Sequence, residues 1–259
     1  MLAQKELPAA NGAVKAVELY PRVSIVVPAL NEQENLAYML PRIPAWAYEV
    51  ILVDGRSVDR TVEVARQVLP RVTVVTQDGH GKGDAMRCGF AAATGDVIVM
   101  LDADGSADPA EIPAFVGALL AGADLAKGTR FAQGGGSADI SLFRNLGNWA
   151  FTKATRLLFR TRYTDLCYGY NAFWRDILPV LHLDAPGFEI ETQLNLRALR
   201  ARLRVVEVPS YEGRRIFGRT HLRATADGWR VARALITERC REAVFEPALR
   251  ATRQTSGHP

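Results

Sequence analysis

Short apolar runs alternate with helical patterns in the first half of the chain. Residues 23–27, 50–53, 72–75 and 97–101 are continuous runs rich in β-branched side chains. Continuous rather than alternating apolar character predicts strands buried on both faces, as in a parallel sheet.

Helical patterns of about three turns lie between these runs. They begin near Glu32, Asp59, Lys82 and Pro109, and Asp108 can cap the helix that Pro109 starts. The order β-α-β-α-β-α-β-α predicts a doubly wound α/β domain with right-handed crossovers. Ligands of such sheets bind at the carboxyl ends of the strands, so polar clusters that follow the strands are candidate site residues.

The pattern changes after Thr129. Three consecutive glycines at 134–136 precede a predicted helix over about 141–159, a loop near Asp165 and a further helix after Phe188. We predict flexible segments at 1–21 and 250–259 and one folded domain over 22–249, in two halves, 22–129 and 130–249.

Charge distribution, cysteine spacing and hydropathy limit the classes of protein to which this chain can belong. The net charge is only +4, but eight arginines crowd into residues 197–223, which suits either a phosphate-bearing partner or a solvated basic face. The three cysteines match no metal-ligand spacing and predict neither a disulfide framework nor a zinc site. The sequence shows neither a signal peptide pattern nor an apolar run long enough to span a membrane, so we expect a cytoplasmic protein.

The most specific chemical signal is Asp102-Ala103-Asp104, directly after the fourth apolar run. Two carboxylates released from a buried strand can share Mg²⁺ or Mn²⁺, which keeps its other positions for water and phosphate oxygens. The triplet alone is weak, because acidic turn residues commonly follow strands.

Three other clusters each follow a predicted strand or open a helix. Residues 28–32, Pro-Ala-Leu-Asn-Glu, follow the first run, and Asp54 follows the second. Lys82 stands between Gly81 and Gly83 at a helix start, a plausible phosphate contact. Neither a P-loop nor a GxGxxG spacing is present, which argues against a dinucleotide-dependent dehydrogenase.

Together the four clusters resemble the family 2 glycosyltransferases, and most closely the dolichol-phosphate mannose synthase branch. The likeness covers about residues 23–222. Later matches to that branch are Gly128-Thr129-Arg130, Arg144, Thr164-Asp165, Gly169-Tyr170 and the loop over residues 215–222. Three positions depart from it, since Gly55 stands where a second Asp is usual, Ser106 where Gln is frequent and His221 where Lys is usual.

The resemblance implies a single-domain nucleotide-binding fold of the GT-A type, with a mostly parallel central sheet flanked by helices. It also implies inverting transfer from GDP-mannose or a UDP-sugar, with Mg²⁺ or Mn²⁺ held by Asp102 and Asp104. Residues 22–129 would be the donor half and 130–249 the acceptor half with a C-terminal helix. The expected donor-binding residues are Pro28, Ala29, Leu30, Glu32, Asp54, Lys82, Asp102, Ala103 and Asp104.

The expected catalytic residues are Asp104, Arg215, Arg219 and Asp165. Guanidinium groups aimed at the diphosphate stabilise the charge that develops there. For a polyprenyl phosphate acceptor at the inner face of a membrane, the expected phosphate contacts are Arg130, Arg144 and His221. A hydroxyl acceptor would instead need a base, for which Asp165, Glu189 and Glu191 are candidates.

Three alternatives stay open: a soluble hydroxyl acceptor, a sugar-nucleotide nucleotidyltransferase and a non-catalytic sugar-nucleotide-binding protein. The oligomeric state has no signal in the sequence. A helical stretch over 222–245 carries an apolar stripe at Trp229, Ala232, Ile236, Cys240 and Ala243. The favoured interpretation packs this stripe on the domain, and the other lays it on anionic lipid.

Overall fold

A computed structural model describes residues 21–220 and 222–241. Its first half alternates strands and helices as predicted, with one further strand, at Leu125–Thr129, that was not predicted. The strands are β1 (Val23–Ala29), β2 (Glu49–Asp54), β3 (Thr73–Thr76), β4 (Val97–Met100) and β5 (Leu125–Thr129). The helices are α1 (Gln33–Met39), α2 (Thr61–Val68), α3 (Lys82–Ala92) and α4 (Ile112–Leu120), the last preceded by a short 3-10 helix at Pro109–Glu111. Asp108 caps that short helix by accepting from the amide of Ala110, as predicted.

The second half begins after β5. Its strands are β6 (Gly136–Ser137), β7 (Asn171–Trp174), β8 (Val205–Pro209) and β9 (Tyr211–Glu212). Its helices are α5 (Leu142–Phe159), α6 (Leu178–Leu181), α7 (Glu189–Arg200) and α8 (Ala224–Cys240). The predicted helices at about 141–159 and after Phe188 are therefore confirmed, and Ser141 caps α5 by accepting from the Arg144 amide.

Seven strands form the central sheet in the order β3-β2-β1-β4-β7-β5-β8. All pairs are parallel except those of β7, which runs antiparallel to both β4 and β5. The predicted fold class, a mostly parallel sheet between helices, is confirmed. The antiparallel β7 was not predicted, because Asn171–Trp174 contains none of the β-branched residues that marked the four predicted strands.

The core lies on both faces of this sheet. Strands β1, β2 and β4 are almost wholly buried, as their continuous apolar character predicted. Strand β3 lies at the sheet edge and is only half buried. The parallel pairing of β1 with β4 brings the ends of these two strands together, which places the segments after Ala29 and Met100 side by side.

Helix α8 packs differently from the favoured sequence interpretation. The side chains that it buries are Asp227, Val231, Leu235 and Glu238. Trp229 and Ile236 of the predicted apolar stripe are 73% and 63% exposed, so packing of that stripe on the domain is wrong. Asp227 and Glu238 can be buried because each forms ion pairs with arginine side chains. Ala243, residues 1–20 of the predicted flexible segment 1–21 and the predicted flexible tail 250–259 lie outside the described residues.

Candidate active site

A cavity of about 210 Å³ lies beyond the carboxyl ends of β1 and β4. It brings together most of the expected donor-binding residues. Those that line it are Pro28, Ala29, Leu30, Glu32, Lys82, Asp102, Ala103 and Asp104, and the expected catalytic residue Arg215 lines it with them. This position is where ligands of parallel α/β sheets bind.

Asp102 and Asp104 lie at the β4 side of this first cavity. One oxygen of Asp104 accepts from the amide and hydroxyl of Ser106, at 3.0 and 2.7 Å. Its other oxygen lies 3.5 Å from the Arg215 guanidinium. One oxygen of Asp102 lies 2.6 Å from the Lys82 ammonium. Both carboxylates are thus presented to the cavity by partners on three different segments.

Lys82 joins two carboxylates from different parts of the chain. Its ammonium lies 2.6 Å from Asp102 and 2.5 Å from Glu191, and 5.6 Å from the centre of the Phe188 ring. Burial lowers the pKa of Lys82, but the two carboxylates outweigh burial and hold that pKa above its ordinary value. Lys82 therefore stays charged and compensates an acidic cluster of two carboxylates.

Glycines allow this convergence. A Cβ atom on Gly83 would lie 2.1 Å from the Ala185 carbonyl oxygen, and the Gly83 amide donates to Pro186 at 2.9 Å. A Cβ on Gly169 would lie 2.5 Å from an oxygen of Glu191 and 3.0 Å from one of Asp102. Glycine at these positions lets the segment before α7 approach α3, which places Glu191 beside Lys82.

The segment after β9 closes the first cavity on one side. Arg215 donates to a carboxylate oxygen of Glu32 and to the Phe217 carbonyl. Asn35 exchanges hydrogen bonds of 2.9 and 3.1 Å with the backbone of Phe217. The Ile216 amide donates to the Asp104 carbonyl at 3.3 Å. These contacts hold the Arg215 guanidinium beside the acidic pair.

Several expected residues lie outside the lining of the first cavity. Asp54 is buried and accepts from the Ser57 amide at 3.2 Å, while its neighbour Gly55 contributes to the lining. Arg219 is exposed on the segment before α8. His221 lies outside the described residues.

Some lining residues were missed by the sequence analysis. Gln77 follows the last residue of β3 and could have been found by the same strand-end rule as Asp54. Thr220 lies in the loop over residues 215–222 that the family resemblance had matched, whereas Phe188 carried no comparable signal because it approaches the cavity through tertiary packing of the second half.

A second cavity of about 360 Å³ lies between α5, α7 and α8. Its walls are mainly apolar and include Phe143, Phe151 and Val231. Arg130 and Arg144 line it, as does Glu191. Phe188 lines both cavities, and the Lys82–Glu191 ion pair lies between them.

Arg130 is less available than the sequence analysis expected. It forms a bidentate pair with the fully buried Asp165, at 2.7 and 3.0 Å, and donates to Glu212 at 3.0 and 3.2 Å. Burial raises the pKa of Asp165, but Arg130 and Lys127 outweigh it and hold that pKa below its ordinary value. The paired hydrogen bonds expected from Arg130 to a phosphate go to Asp165 instead.

The same contacts bear on the expected catalytic role of Asp165. Both of its oxygens accept from Arg130 and its side chain has no exposed surface, so the structure places it as a partner of Arg130 rather than in the first cavity. Arg144 differs, since it is partly exposed and its guanidinium lies 3.4 Å from the partly exposed Asp139. Of the two arginines that line the second cavity, Arg144 is the more accessible to an anion.

We expect Asp165→Ala to lower the free energy of unfolding by about 3–5 kcal/mol, because it leaves the buried Arg130 with one carboxylate instead of two. Urea unfolding of the purified variant measures this. The matched control is Glu63→Ala, which removes an exposed ion pair with Arg60 and should cost less than about 1 kcal/mol. An equal loss of unfolding free energy in the two variants would contradict the burial of the Asp165–Arg130 ion pair.

The low pKa of Asp165 gives this stabilisation a pH dependence. A carboxyl whose folded pKa is depressed stabilises the fold fully above its unfolded pKa, about 3.9. The contribution is lost as the pH falls through the lower folded value. The difference between the wild type and Asp165→Ala should therefore shrink in acid.

The acidic pair fits a hard divalent cation. Mg²⁺ is commonly bound by one or two carboxylates and keeps water and phosphate oxygens as further ligands. Asp102 and Asp104 supply two such carboxylates at one cavity wall. Over residues 21–220 and 222–241, no group of three or more His, Cys, Asp and Glu side chains forms a complete protein cage. An open site of this kind would need a phosphate ligand to complete it.

The sheet order and the acidic pair beyond β4 define a fold of the GT-A glycosyltransferase type. The chain belongs to glycosyl transferase family 2, whose family model matches residues 24–181. Dolichol-phosphate mannosyltransferase of Pyrococcus furiosus is 31% identical over 211 residues, which cover 78% of this chain and 59% of that protein. The chain thus spans less than two thirds of that relative's length.

Undecaprenyl-phosphate mannosyltransferase of Micrococcus luteus is 32% identical over 200 residues, covering 73% of this chain and 82% of that protein. Among solved structures, glucosyl-3-phosphoglycerate synthase of Mycobacterium tuberculosis in complex with UDP is similar, with a TM-score of 0.66 and 25% identity. That match covers 85% of this chain and 80% of the synthase. These findings confirm the family resemblance predicted from the sequence.

Proposed function

We propose that this chain is an inverting glycosyltransferase that moves a sugar from a nucleotide-diphosphate sugar to a polyprenyl phosphate. The donor would be GDP-mannose or a UDP-sugar and would bind in the first cavity. The acceptor phosphate would bind in the second. Support comes from the names of the two mannosyltransferase relatives and from the UDP complex of the similar synthase.

One observation carries the proposal. A polar cavity with the acidic pair adjoins an apolar cavity with an available arginine, and the two share Phe188. A phosphate attached to a long hydrocarbon needs both a cationic contact and apolar walls. The arrangement therefore suits a donor diphosphate on one side and an amphiphilic acceptor on the other.

In the transfer step, an acceptor oxygen forms a bond to the anomeric carbon while the bond from that carbon to the diphosphate oxygen breaks. Negative charge then grows on the leaving diphosphate. Arg215 and Lys82 both line the first cavity, where their fixed positive charges stabilise that change. Arg219, on the same segment as Arg215, stays a proposed further contact.

Asp102 and Asp104 would hold a divalent cation. When bound, Mg²⁺ or Mn²⁺ supplies further positive charge to the diphosphate oxygens. Lys82 and Arg215, the present partners of the two carboxylates, would stay nearby as contacts of the diphosphate.

A phosphate acceptor is already ionised near neutral pH and needs no proton removed. What the chain must supply is position, because correct placement alone lowers the barrier by several kcal/mol. Arg144 lies at the wall of the second cavity, where its guanidinium can hold the phosphate. His221 stays a proposed contact.

A soluble hydroxyl acceptor is the second candidate, and Glu191 favours it. Its carboxylate lies between the two cavities and lines the second. Burial raises the pKa of Glu191 and so does Asp102, against the opposing effect of Lys82. Glu191 is therefore better placed as a base than the fully buried Asp165. The similar synthase also crystallises with phosphoglyceric acid.

A thermal-shift experiment tests the donor half of the proposal. At about 100 times its dissociation constant, a donor that binds only the folded chain adds about 2.7 kcal/mol to stability. For a domain of this size that raises Tm by roughly 5–10 °C. We expect this rise with a sugar nucleotide plus Mn²⁺, and little with the free sugar or with excess chelator. No shift with any sugar nucleotide would contradict donor binding, and the screen separates guanosine from uridine donors.

A further inference from the structure

The outward face of α5 carries large apolar side chains open to solvent. Leu142, Leu146 and Trp149 are 86%, 63% and 57% exposed. Their spacing of four and three residues places them on one face of the helix. A contiguous exposed apolar face commonly marks an interaction site. The described part of the chain therefore presents an apolar surface that the donor chemistry does not use.

Basic residues continue the same face along α5. Lys153, Arg156 and Arg160 follow at the same helical spacing, and the Lys153 ammonium lies 5.1 Å from the centre of the Trp149 ring. Residues 142–160 contain no Asp or Glu. The helix thus combines apolar side chains with positive charge alone.

Helix α8 packs beside α5 and repeats this pattern. A Cβ on Gly228 would lie 3.9 Å from the Phe151 ring, which shows how closely the two helices approach. Trp229 and Ile236 are exposed, with Arg233 between them on the same face. The two acids of α8 are buried, Asp227 beside Arg230 and Glu238 between Arg197 and Arg200. The acids of α8 are thus buried and α5 contains none, so the exposed charge of both helices is positive.

The apolar face is continuous with the second cavity. Phe143 lines that cavity and is also 63% exposed. Phe151 and Val231 also line this cavity, together with the Arg144 guanidinium. A hydrocarbon-linked phosphate that reached the cavity from this side would find apolar contacts and a guanidinium in the same cavity.

We propose that the outward faces of α5 and α8 dock on an anionic lipid surface. This lipid-docking face is defined by Leu142, Leu146, Trp149, Lys153, Arg156, Trp229, Arg233 and Ile236. An amphipathic helix with aromatic and aliphatic residues on one side and Lys and Arg beside them lies in the headgroup region of such a surface. The inference rests on the proposed function, since a lipid-linked acceptor gives the docking its purpose.

Charge favours lipid over a second copy of the chain. A symmetric contact between two copies would bring like charges of Lys153, Arg156 and Arg233 together, which opposes association. An anionic membrane surface instead attracts each basic residue near it, by a factor of roughly five in partitioning. Within residues 21–220 and 222–241, the structure contains no helix long and apolar enough to span a membrane.

Vesicle flotation of the full chain tests the proposal. We expect binding to vesicles of phosphatidylcholine mixed with phosphatidylglycerol, at least about tenfold stronger than to phosphatidylcholine alone and weakened by salt. Leu146→Glu combined with Trp149→Glu should reduce binding at least about tenfold, because it places two charges in the buried part of the contact. Lys153→Glu combined with Arg156→Glu should abolish the preference for anionic vesicles.

The matched control is Leu120→Glu combined with Val58→Glu. Both side chains are exposed and apolar but lie on α4 and on the segment before α2, so vesicle binding should not change. Equal flotation of the α5 double variant and the wild type would overturn the proposal. Failure of the wild type to bind anionic vesicles would also overturn it. That includes the case in which the α5 face forms a dimer contact and the double variant is monomeric.

The experiment separates this inference from the proposed function. Flotation without any transfer to polyprenyl phosphate would support the lipid-docking face and contradict the proposed acceptor. Transfer to polyprenyl phosphate in detergent without flotation would support the proposed acceptor and contradict the lipid-docking face. The donor-induced thermal shift should persist in the α5 double variant, which shows that it is folded and that its first cavity is intact.

Discussion

Asp104→Asn should reduce sugar transfer by at least about a thousandfold, and Asp102→Asn by a similar factor. Each substitution keeps the size of the side chain but removes one of the two carboxylate charges at the wall of the first cavity. Both groups lie beyond the end of β4, outside the sheet, so the fold should persist. Steady-state rates with saturating donor and Mn²⁺ measure the loss, and circular dichroism checks the fold.

The matched control for this pair is Asp78→Asn. Asp78 is an exposed acid that follows β3 and is not part of the cavity lining. Its rate should equal that of the wild type. Full activity of Asp104→Asn, or equal wild-type rates with Mn²⁺ and with excess chelator, would contradict the assigned metal site.

Arg144→Ala should lower transfer to polyprenyl phosphate by roughly a hundredfold, the cost of about 3 kcal/mol for one lost charged contact to a phosphate. Arg144 is partly exposed at the wall of the second cavity, so the substitution leaves no buried charge without a partner. Initial rates at varied acceptor concentration measure the effect.

The donor-induced thermal shift should be unchanged in Arg144→Ala, because this residue does not line the first cavity. Arg66→Ala on α2 serves as the matched control for an exposed arginine and should keep the wild-type rate. Loss of donor binding in Arg144→Ala, or an unchanged acceptor rate, would contradict the assignment of the second cavity.

The sequence predicted the first half of the fold well because burial there leaves a strong pattern. Strands β1, β2 and β4 are buried on both faces, and their continuous apolar runs reflect that. Strand β7 is short and antiparallel, and its place between β4 and β5 depends on long-range pairing that no local pattern encodes. The same limit applies to β8 at the far edge.

The donor side of the site was predictable for the same reason. Strand ends fix where the following residues lie, so Leu30, Asp102 and Asp104 could be grouped before any coordinates. The acceptor side was not. Arg130 and Asp165 match the family pattern, yet their burial together with Glu212 follows from packing of the second half.

Helix α8 shows a third limit of sequence interpretation. The apolar stripe of α8 predicted which face of the helix packs on the domain. In the structure a different face packs there, and it includes Glu238, which forms buried ion pairs with Arg197 and Arg200. Hydrophobic periodicity alone cannot identify the inner face of a helix whose acids find arginine partners elsewhere in the chain.

A competition experiment between lipid and soluble acceptors identifies what the enzyme glycosylates. The full chain is incubated with Mn²⁺, the sugar nucleotide selected by thermal shift, undecaprenyl phosphate in detergent and a set of soluble hydroxyl compounds that includes phosphoglyceric acid. Mass spectrometry of both phases then identifies the product. We expect the product to be a hexosyl phosphate linked to the polyprenol. This product should be absent with Asp104→Asn and strongly reduced with Arg144→Ala. Glycosylation of a water-soluble hydroxyl alone, with the lipid phosphate unchanged, would contradict the proposed acceptor.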